Sequence, residues 1–217
     1  MYLTRPTSVR RVYLTSLALV RRVYLTSPAS VRRYGSAVRK PLDLPFDPIE
    51  RAAAIWERRF GEARAMAAVT SIMRVHQILL SELDTLLRPF GLTFARYEAL
   101  VLLSFSRTGS LPLRLIGERL MVHPTSVTNT IDRLERAELV VRRPNPRDRR
   151  GTLAEITHAG REVVREATKV LMAEGFGLRG YDDDELETMF GLLRSLRVEA
   201  GDFTELALVA RSGRRRS

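Results

Sequence analysis

Pro124-Thr125-Ser126-Val127-Thr128-Asn129-Thr130-Ile131-Asp132-Arg133-Leu134-Glu135-Arg136-Ala137 is followed directly by Glu138 and then by Leu139-Val140-Val141-Arg142-Arg143. Val127, Ile131 and Leu134 recur at four and three, which predicts a helix from Thr125 to about Ala137 with one apolar face. That face turns Thr125, Ser126, Thr128, Asn129, Thr130 and Arg133 outward. Small hydroxyls, an amide and a guanidinium are poor core material, but they are good partners for base edges and phosphates. Pro124 suits the first helical position, and amides left free beside it suit a backbone phosphate.

The neighbours of this helix complete a pattern. Upstream, Leu113, Ile116 and Leu120 predict a short helix, broken at Val122-His123-Pro124. Downstream, Leu139–Arg143 alternates as a strand and Leu153-Ala154-Glu155-Ile156 as a second one. Pro144-Asn145-Pro146-Arg147-Asp148-Arg149-Arg150-Gly151 between them is a loop by composition. Short helix, tight turn, amphipathic helix and hairpin together read as a winged helix-turn-helix. Arg147, Arg149 and Arg150 surround Asp148 at the hairpin tip, where arginine suits the negative potential of a narrow minor groove. From Arg114 to Arg150 there are nine basic and five acidic residues. A solvated polar helix and a charged loop would explain either element alone. Their winged-helix spacing argues for a DNA-reading face.

Outward from this domain the chain is helical. Asp47-Pro48-Ile49-Glu50 opens the first helix: Asp caps, Pro sits at N1, and Glu at N3 can reach back to the cap amide. It carries Ile55, Trp56 and Phe60 and ends at Gly61. A long helix follows, with Met66, Val69, Ile72, Met73, His76, Leu79, Leu80, Leu83, Leu86 and Leu87 on a stripe wide enough to be buried on more than one side. Arg88-Pro89-Phe90-Gly91 stops it. Thr93 caps a helix to about Phe105, and Gly109-Ser110 makes a turn. After the hairpin and Thr157-His158-Ala159-Gly160, a helix runs to about Glu174, with Val163, Val164, Ala167, Val170 and Leu171 inward. Asp182 and Glu185 form a capping-box pattern before the stripe Leu186, Met189, Phe190, Leu193 and Leu196.

Composition bounds the rest. The 217 residues include 36 Lys+Arg, 25 Asp+Glu and no Cys, for a formal net charge of +11. Nine of the basic residues lie in 1–40 and four in 211–217, both without an acid, which leaves 23 basic against 25 acidic residues for 41–210. The high net charge therefore belongs to the two ends. Without Cys there are no disulfides, thiolate metal sites or cysteine nucleophiles. No apolar run approaches the ~20 residues of a membrane helix.

Residues 2–34 repeat an eleven-residue unit: Tyr2-Leu3-Thr4 leads to Val9-Arg10-Arg11, Tyr13-Leu14-Thr15 to Val20-Arg21-Arg22, and Tyr24-Leu25-Thr26 to Val31-Arg32-Arg33. Three short copies interrupted by Pro6 and Pro28 enclose no core. The segment reads as a disordered or artefactual arm (a start assigned too early), as a weak DNA- or membrane-surface arm, or as a targeting peptide.

Catalytic motifs are missing. His76, His123 and His158 have no metal-ligand spacing. Neither a GxSxG elbow nor a P-loop occurs, and Gly175-Phe176-Gly177 lacks a third Gly and a preceding strand. The expectation is a non-enzyme with no cofactor and no metal.

Two blocks resemble a known family. Ile131-Asp132-Arg133-Leu134-Glu135-Arg136-Ala137-Glu138-Leu139-Val140 and Asp148-Arg149-Arg150-Gly151-Thr152-Leu153-Ala154-Glu155-Ile156-Thr157-His158-Ala159-Gly160 are similar to the MarR-family stretches "DRLE-x-x-GLV" and "DRR…LT-x-x-G". Glu138 stands where Gly is usual and Ile156 where Leu is usual. The resemblance spans roughly 45–200. It implies a mostly α fold with a small β-hairpin, in which dimerisation helices flank the winged helix-turn-helix on both sides. The expected organisation is a basic, disordered arm (1–42), N-terminal dimerisation helices (43–90), the DNA-binding domain (91–160), C-terminal dimerisation helices (161–200) and a basic tail (201–217).

The implied function is a homodimeric, ligand-responsive transcriptional regulator, a repressor by the family's habit, on a pseudo-palindromic operator in double-stranded DNA. The place of action is then the cytoplasm, on the nucleoid. The alternative is an architectural DNA-binding protein without sequence preference, relying on its arginine-rich ends.

Trp56, His76 and Glu98 resemble part of the effector site of the urate-responsive branch: Trp56 matches its Trp, and Glu98 replaces its Asp. The Arg of that pocket falls on Thr130, which would cost an anion ~1.5–3 kcal/mol. Urate is therefore not expected. A small neutral or phenolic aromatic, in the crevice between dimer helices and winged domain, is. The plain readings of these residues are core for Trp56, an interface histidine for His76 and a structural salt bridge for Glu98.

Overall fold

The computed structural model describes residues 43–146, 148 and 151–204. The repeat arm, most of the basic tail, and Arg147, Arg149 and Arg150 of the wing lie outside the described residues. The chain divides between Gly177 and Leu178 into two compact units.

The first unit begins with α1 (Pro48–Phe60), where the Asp47 carboxylate accepts from the amides of Ile49 at 2.7 Å and Glu50 at 3.4 Å. Helix α2 (Arg64–Leu87) runs into a 3-10 turn, Arg88–Phe90, that Gly91 ends in the left-handed region. Helix α3 (Phe94–Phe105) starts after Thr93 as expected, but the Thr93 side chain makes no cap bond. Asp84, a turn before the end of α2, accepts instead from the Phe94 amide at 2.6 Å. The cap thus also ties α3 to α2.

Then come β1 (Ser110–Pro112), α4 (Leu113–Leu120), α5 (Pro124–Arg136), β2 (Val140–Pro144), β3 (Thr152–Ile156) and α6 (His158–Ala173). The sheet has three antiparallel strands in the order β1-β3-β2, one more than the sequence patterning suggests. Where a turn is expected at Ser110, Leu111 pairs with Ala154 across the sheet. A three-residue strand ending in Pro112 carries no alternation of its own, and only its partner over forty residues away makes it a strand.

The core joins these elements. Leu100 and Leu103 of α3, Ile116 of α4, Val127, Ile131 and Leu134 of α5, Val140 and Ala154 of the sheet, and Ala167 and Leu171 of α6 are buried together. Tyr97 is buried as well, and its hydroxyl meets Thr168 Oγ1 at 2.8 Å, pinning α3 to α6.

The entry to α6 explains the threonine and glycine of the second sequence block. Thr157 Oγ1 accepts from the Gly160 amide at 3.0 Å and donates to the Glu138 carbonyl at 2.9 Å. A Cβ on Gly160 would stand 2.3 Å from the Leu139 carbonyl oxygen, closer than atoms can pack. Only glycine lets α6 start against the end of the recognition-helix turn.

The second unit contains α7 (Asp183–Glu199), opened by a capping box in which the Asp182 and Glu185 side chains each accept from the other's amide. No residue of α7 is buried.

Candidate nucleic-acid interface

Helix α5 is held by its apolar face and leaves the other face open. Val127, Ile131 and Leu134 are at most 3% exposed, whereas Thr125, Ser126, Thr128, Asn129 and Arg133 are exposed and Thr130 is half-buried. Thr128 Oγ1 donates back to the Pro124 carbonyl at 3.1 Å. Among the described residues nothing engages the side chains of Ser126, Asn129, Thr130 or Arg133. They stand ready for a ligand outside the chain.

The start of α5 differs from the sequence expectation. Pro124 has no N–H, and the amides of the next three residues are already used. Ser126 and Val127 donate to the His123 carbonyl at 2.9 and 3.2 Å, and the Thr125 amide donates to His123 Nδ1 at 3.3 Å. Among the described residues none of these three helix amides is left free for a phosphate. The N-cap histidine closes the end that an unpaired helix would leave open.

The wing is tied to α5 by Arg142, which the sequence pattern did not single out. Its Nη2 donates to Asp132 Oδ1 at 2.5 Å, its Nη1 pairs with Glu135, and its amide donates to Glu135 Oε1 at 3.1 Å. Asp132 and Glu135, the acids of the "DRLE" stretch, lie three residues apart on one helix face, so a single guanidinium reaches both. Burial opposes the charge on Arg142, but the hydrogen bonds and charges of Glu135 and Asp132 outweigh it and raise its pKa. The loop beyond is closed by backbone: Asn145 donates to the Gly151 carbonyl, Asp148 to Asn145 and Gly151 to Asp148, at 2.9–3.2 Å. Asp148 therefore helps to close this loop, while Arg147, Arg149 and Arg150 lie outside the described residues.

A winged helix-turn-helix whose α5 turns a polar face to solvent is thus in place. The MarR family pattern matches residues 93–152, from the start of α3 into β3. The uncharacterized HTH-type transcriptional regulator YhbI of Bacillus subtilis (strain 168) is 30% identical over 158 residues, covering 73% of this chain and 92% of that protein. The chain belongs to the MarR family. The HTH-type transcriptional regulator MhqR of the same organism is 32% identical over 133 residues, covering 61% of this chain and 90% of that one. A crystal structure of a MarR family transcriptional regulator from Streptomyces coelicolor is 64% identical, with a TM-score of 0.62, and covers 65% of this chain and 98% of that one. As a MarR-family member the protein is a DNA-binding transcriptional regulator and not an enzyme.

The three residues offered for an effector stand on three helices of this MarR-family chain. Trp56 on α1 is 39% exposed and packs on Phe60 with ring centroids 5.0 Å apart. His76 lies exposed on α2. Glu98 on α3 is half-buried and has no salt-bridge partner among the described residues, and burial raises its carboxyl pKa. An apolar groove of about 600 Å³ lies elsewhere, between α4 and the start of α5, lined by Leu113, Gly117, Met121, Val122 and Val127 among others. Among the described residues no three His, Asp or Glu side chains gather as a metal ion requires, and no helix is long and apolar enough to cross a membrane.

Proposed function

We propose that the protein is a ligand-responsive repressor that binds a pseudo-palindromic operator as a homodimer. The observation that carries the dimer is the apolar surface left open outside the DNA-binding domain. Helix α2 buries only Leu83 and Leu87 of its 24 residues, while Val69, Met73, Val75 and Ile78 are 47–62% exposed. On α7, Phe190, Leu192 and Leu196 are 52–71% exposed. Exposed apolar residues at helical spacing are the mark of an association surface. The helices of 43–90 and 161–200 then form the dimerisation region, and two-fold symmetry sets two α5 helices against successive major-groove faces.

Thr125, Ser126, Thr128, Asn129, Thr130 and Arg133 read the major groove and its backbone in this scheme. Arg147, Arg149 and Arg150 reach the minor groove, and Pro124 and Asp148 shape the two ends of the contact. The effector is a small phenolic aromatic: Trp56 offers a ring face, His76 a nitrogen, and Glu98 a half-buried carboxyl with no partner among the described residues.

The test uses the full chain and a tiled set of duplexes from its own promoter at fixed salt. One tile held well above the rest is the expected result, with equal weak binding to all tiles the result that counts against an operator reader. Trp56 is the sole tryptophan, so its fluorescence reports effector binding directly. A panel of simple phenols is expected to yield one that quenches it saturably and releases the retained tile.

A further inference from the structure

We infer that His123 contacts the DNA backbone through its Nε2–H, in addition to capping the recognition helix. The inference rests on α5 being the DNA face. A backbone amide can only donate, so the Thr125 amide at 3.3 Å makes His123 Nδ1 an acceptor. The Thr125 hydroxyl, 3.1 Å from the same nitrogen, then donates to it or stands beside it. An imidazole that accepts at Nδ1 carries its proton at Nε2. The cap therefore fixes the tautomer and points a donor away from the helix.

That donor has no partner among the described residues, and His123 is exposed at the end of α5 that carries Thr125 and Ser126. The helix amides there are all engaged, so they cannot supply the phosphate contact that the start of a recognition helix offers elsewhere. The imidazole takes over: one nitrogen closes the helix and the opposite one meets a phosphate oxygen. A phosphate ester oxygen, as an acceptor only, matches this donor. In this state the ring donates without a charge, so the contact strengthens binding without releasing a counterion.

Serine and threonine also cap helices well but end short of the position of Nε2. His123→Ser and His123→Thr therefore keep the cap and remove the contact. Binding is measured by fluorescence anisotropy for the full chain, against the retained promoter duplex and a scrambled duplex of equal length, over a series of salt concentrations. Both variants are expected to keep the wild-type melting temperature and to lose about five- to tenfold in affinity on both duplexes. The slope of affinity against salt should stay unchanged.

Wild-type affinity in both variants would assign His123 to capping alone and overturn the inference. A loss confined to the promoter duplex would make it a base contact and overturn it equally. Arg133→Ala is the control for the face itself, expected to weaken binding and flatten the salt slope. If that variant bound both duplexes like the wild type, α5 would not face the DNA, and the reading beneath this inference would fail with it.

Discussion

Arg142 Nη2 lies 2.5 Å from Asp132 Oδ1, so one guanidinium on the first wing strand ties that strand to α5, the helix proposed to read DNA. The pair is partly solvent-screened, with side chains 25% and 39% exposed, and on its own would contribute little. Glu135 makes the difference, because it binds both the guanidinium and the Arg142 amide. The wing and α5 are thereby tied together, and in the proposed DNA interface the spacing of their two contacts is set in advance.

Arg142→Ala leaves two carboxylates facing each other with no cation between them. The expected cost is about 1–2 kcal/mol in urea unfolding. Affinity for the operator should fall further than stability alone explains, since the wing no longer holds its register. Arg142→Lys should recover only part of the affinity, because an ammonium lacks the planar fork that spans two acids. Equal affinity of the alanine variant and the wild type would show that the wing needs no tether.

Glu138 sits at φ 58°, in the left-handed region, between the end of α5 and β2. The Glu138 carbonyl takes the Thr157 hydroxyl, so the backbone conformation is locked from outside. A side chain there costs roughly 1 kcal/mol that glycine avoids. Glu138→Gly is expected to stabilise the chain by about 0.5–1 kcal/mol, with operator affinity unchanged, as read by urea midpoints and anisotropy. A lower midpoint would mean that the glutamate side chain makes up for its strained backbone.

The same position shows what a sequence can disclose. The resemblance marked Glu138 as standing where glycine is usual, and the positive φ supplies the physical reason. Helices α5 and α6 were legible because their apolar residues repeat with the helical period, although α6 begins at His158, capped by Thr157, earlier than the expected start after Gly160. The third strand was not, since Ser110-Leu111-Pro112 becomes a strand only by pairing with Leu153, Ala154 and Glu155. Arg142 was read as a strand residue like its neighbour, because its two acid partners meet it only after the helix and hairpin fold together. Of the free amides expected at Pro124, those of Ser126 and Val127 go to the His123 carbonyl and that of Thr125 to the His123 ring, a side-chain cap that no periodicity reports.

Glu98 carries a pH signature of known sign. Burial raises its folded-state pKa above the ordinary 4.5, so the folded chain holds its proton to higher pH than the unfolded chain does. Stability from this group is complete below that ordinary value and declines as pH rises through the folded pKa. Glu98→Gln removes the titration. It is expected to raise the melting temperature at pH 7, and the gap between variant and wild type should close toward pH 4. A gap constant from pH 4 to 7 would show that the carboxyl finds a partner that offsets its burial. Where the variant also loses phenol binding by Trp56 fluorescence, the same carboxyl serves the effector.

Met73 on α2 and Phe190 on α7 are 62% and 60% exposed. In an isolated chain a charge at either place meets water and costs little, usually within ±0.5 kcal/mol. In a dimer that buries these faces, the same charge would be desolvated without a partner, at several kcal/mol. Met73→Glu and Phe190→Glu therefore separate folding from assembly. Far-ultraviolet circular dichroism should show the native helix content for both. Sedimentation equilibrium should give twice the chain mass for the wild type and the single chain mass for at least one variant. Operator affinity should fall with assembly, because a monomer holds one half-site and loses the benefit of the tethered second. If both variants sedimented as the wild type does, neither face would be the dimer contact, and the spacing of half-sites would have to be derived from a different pairing of the two recognition helices.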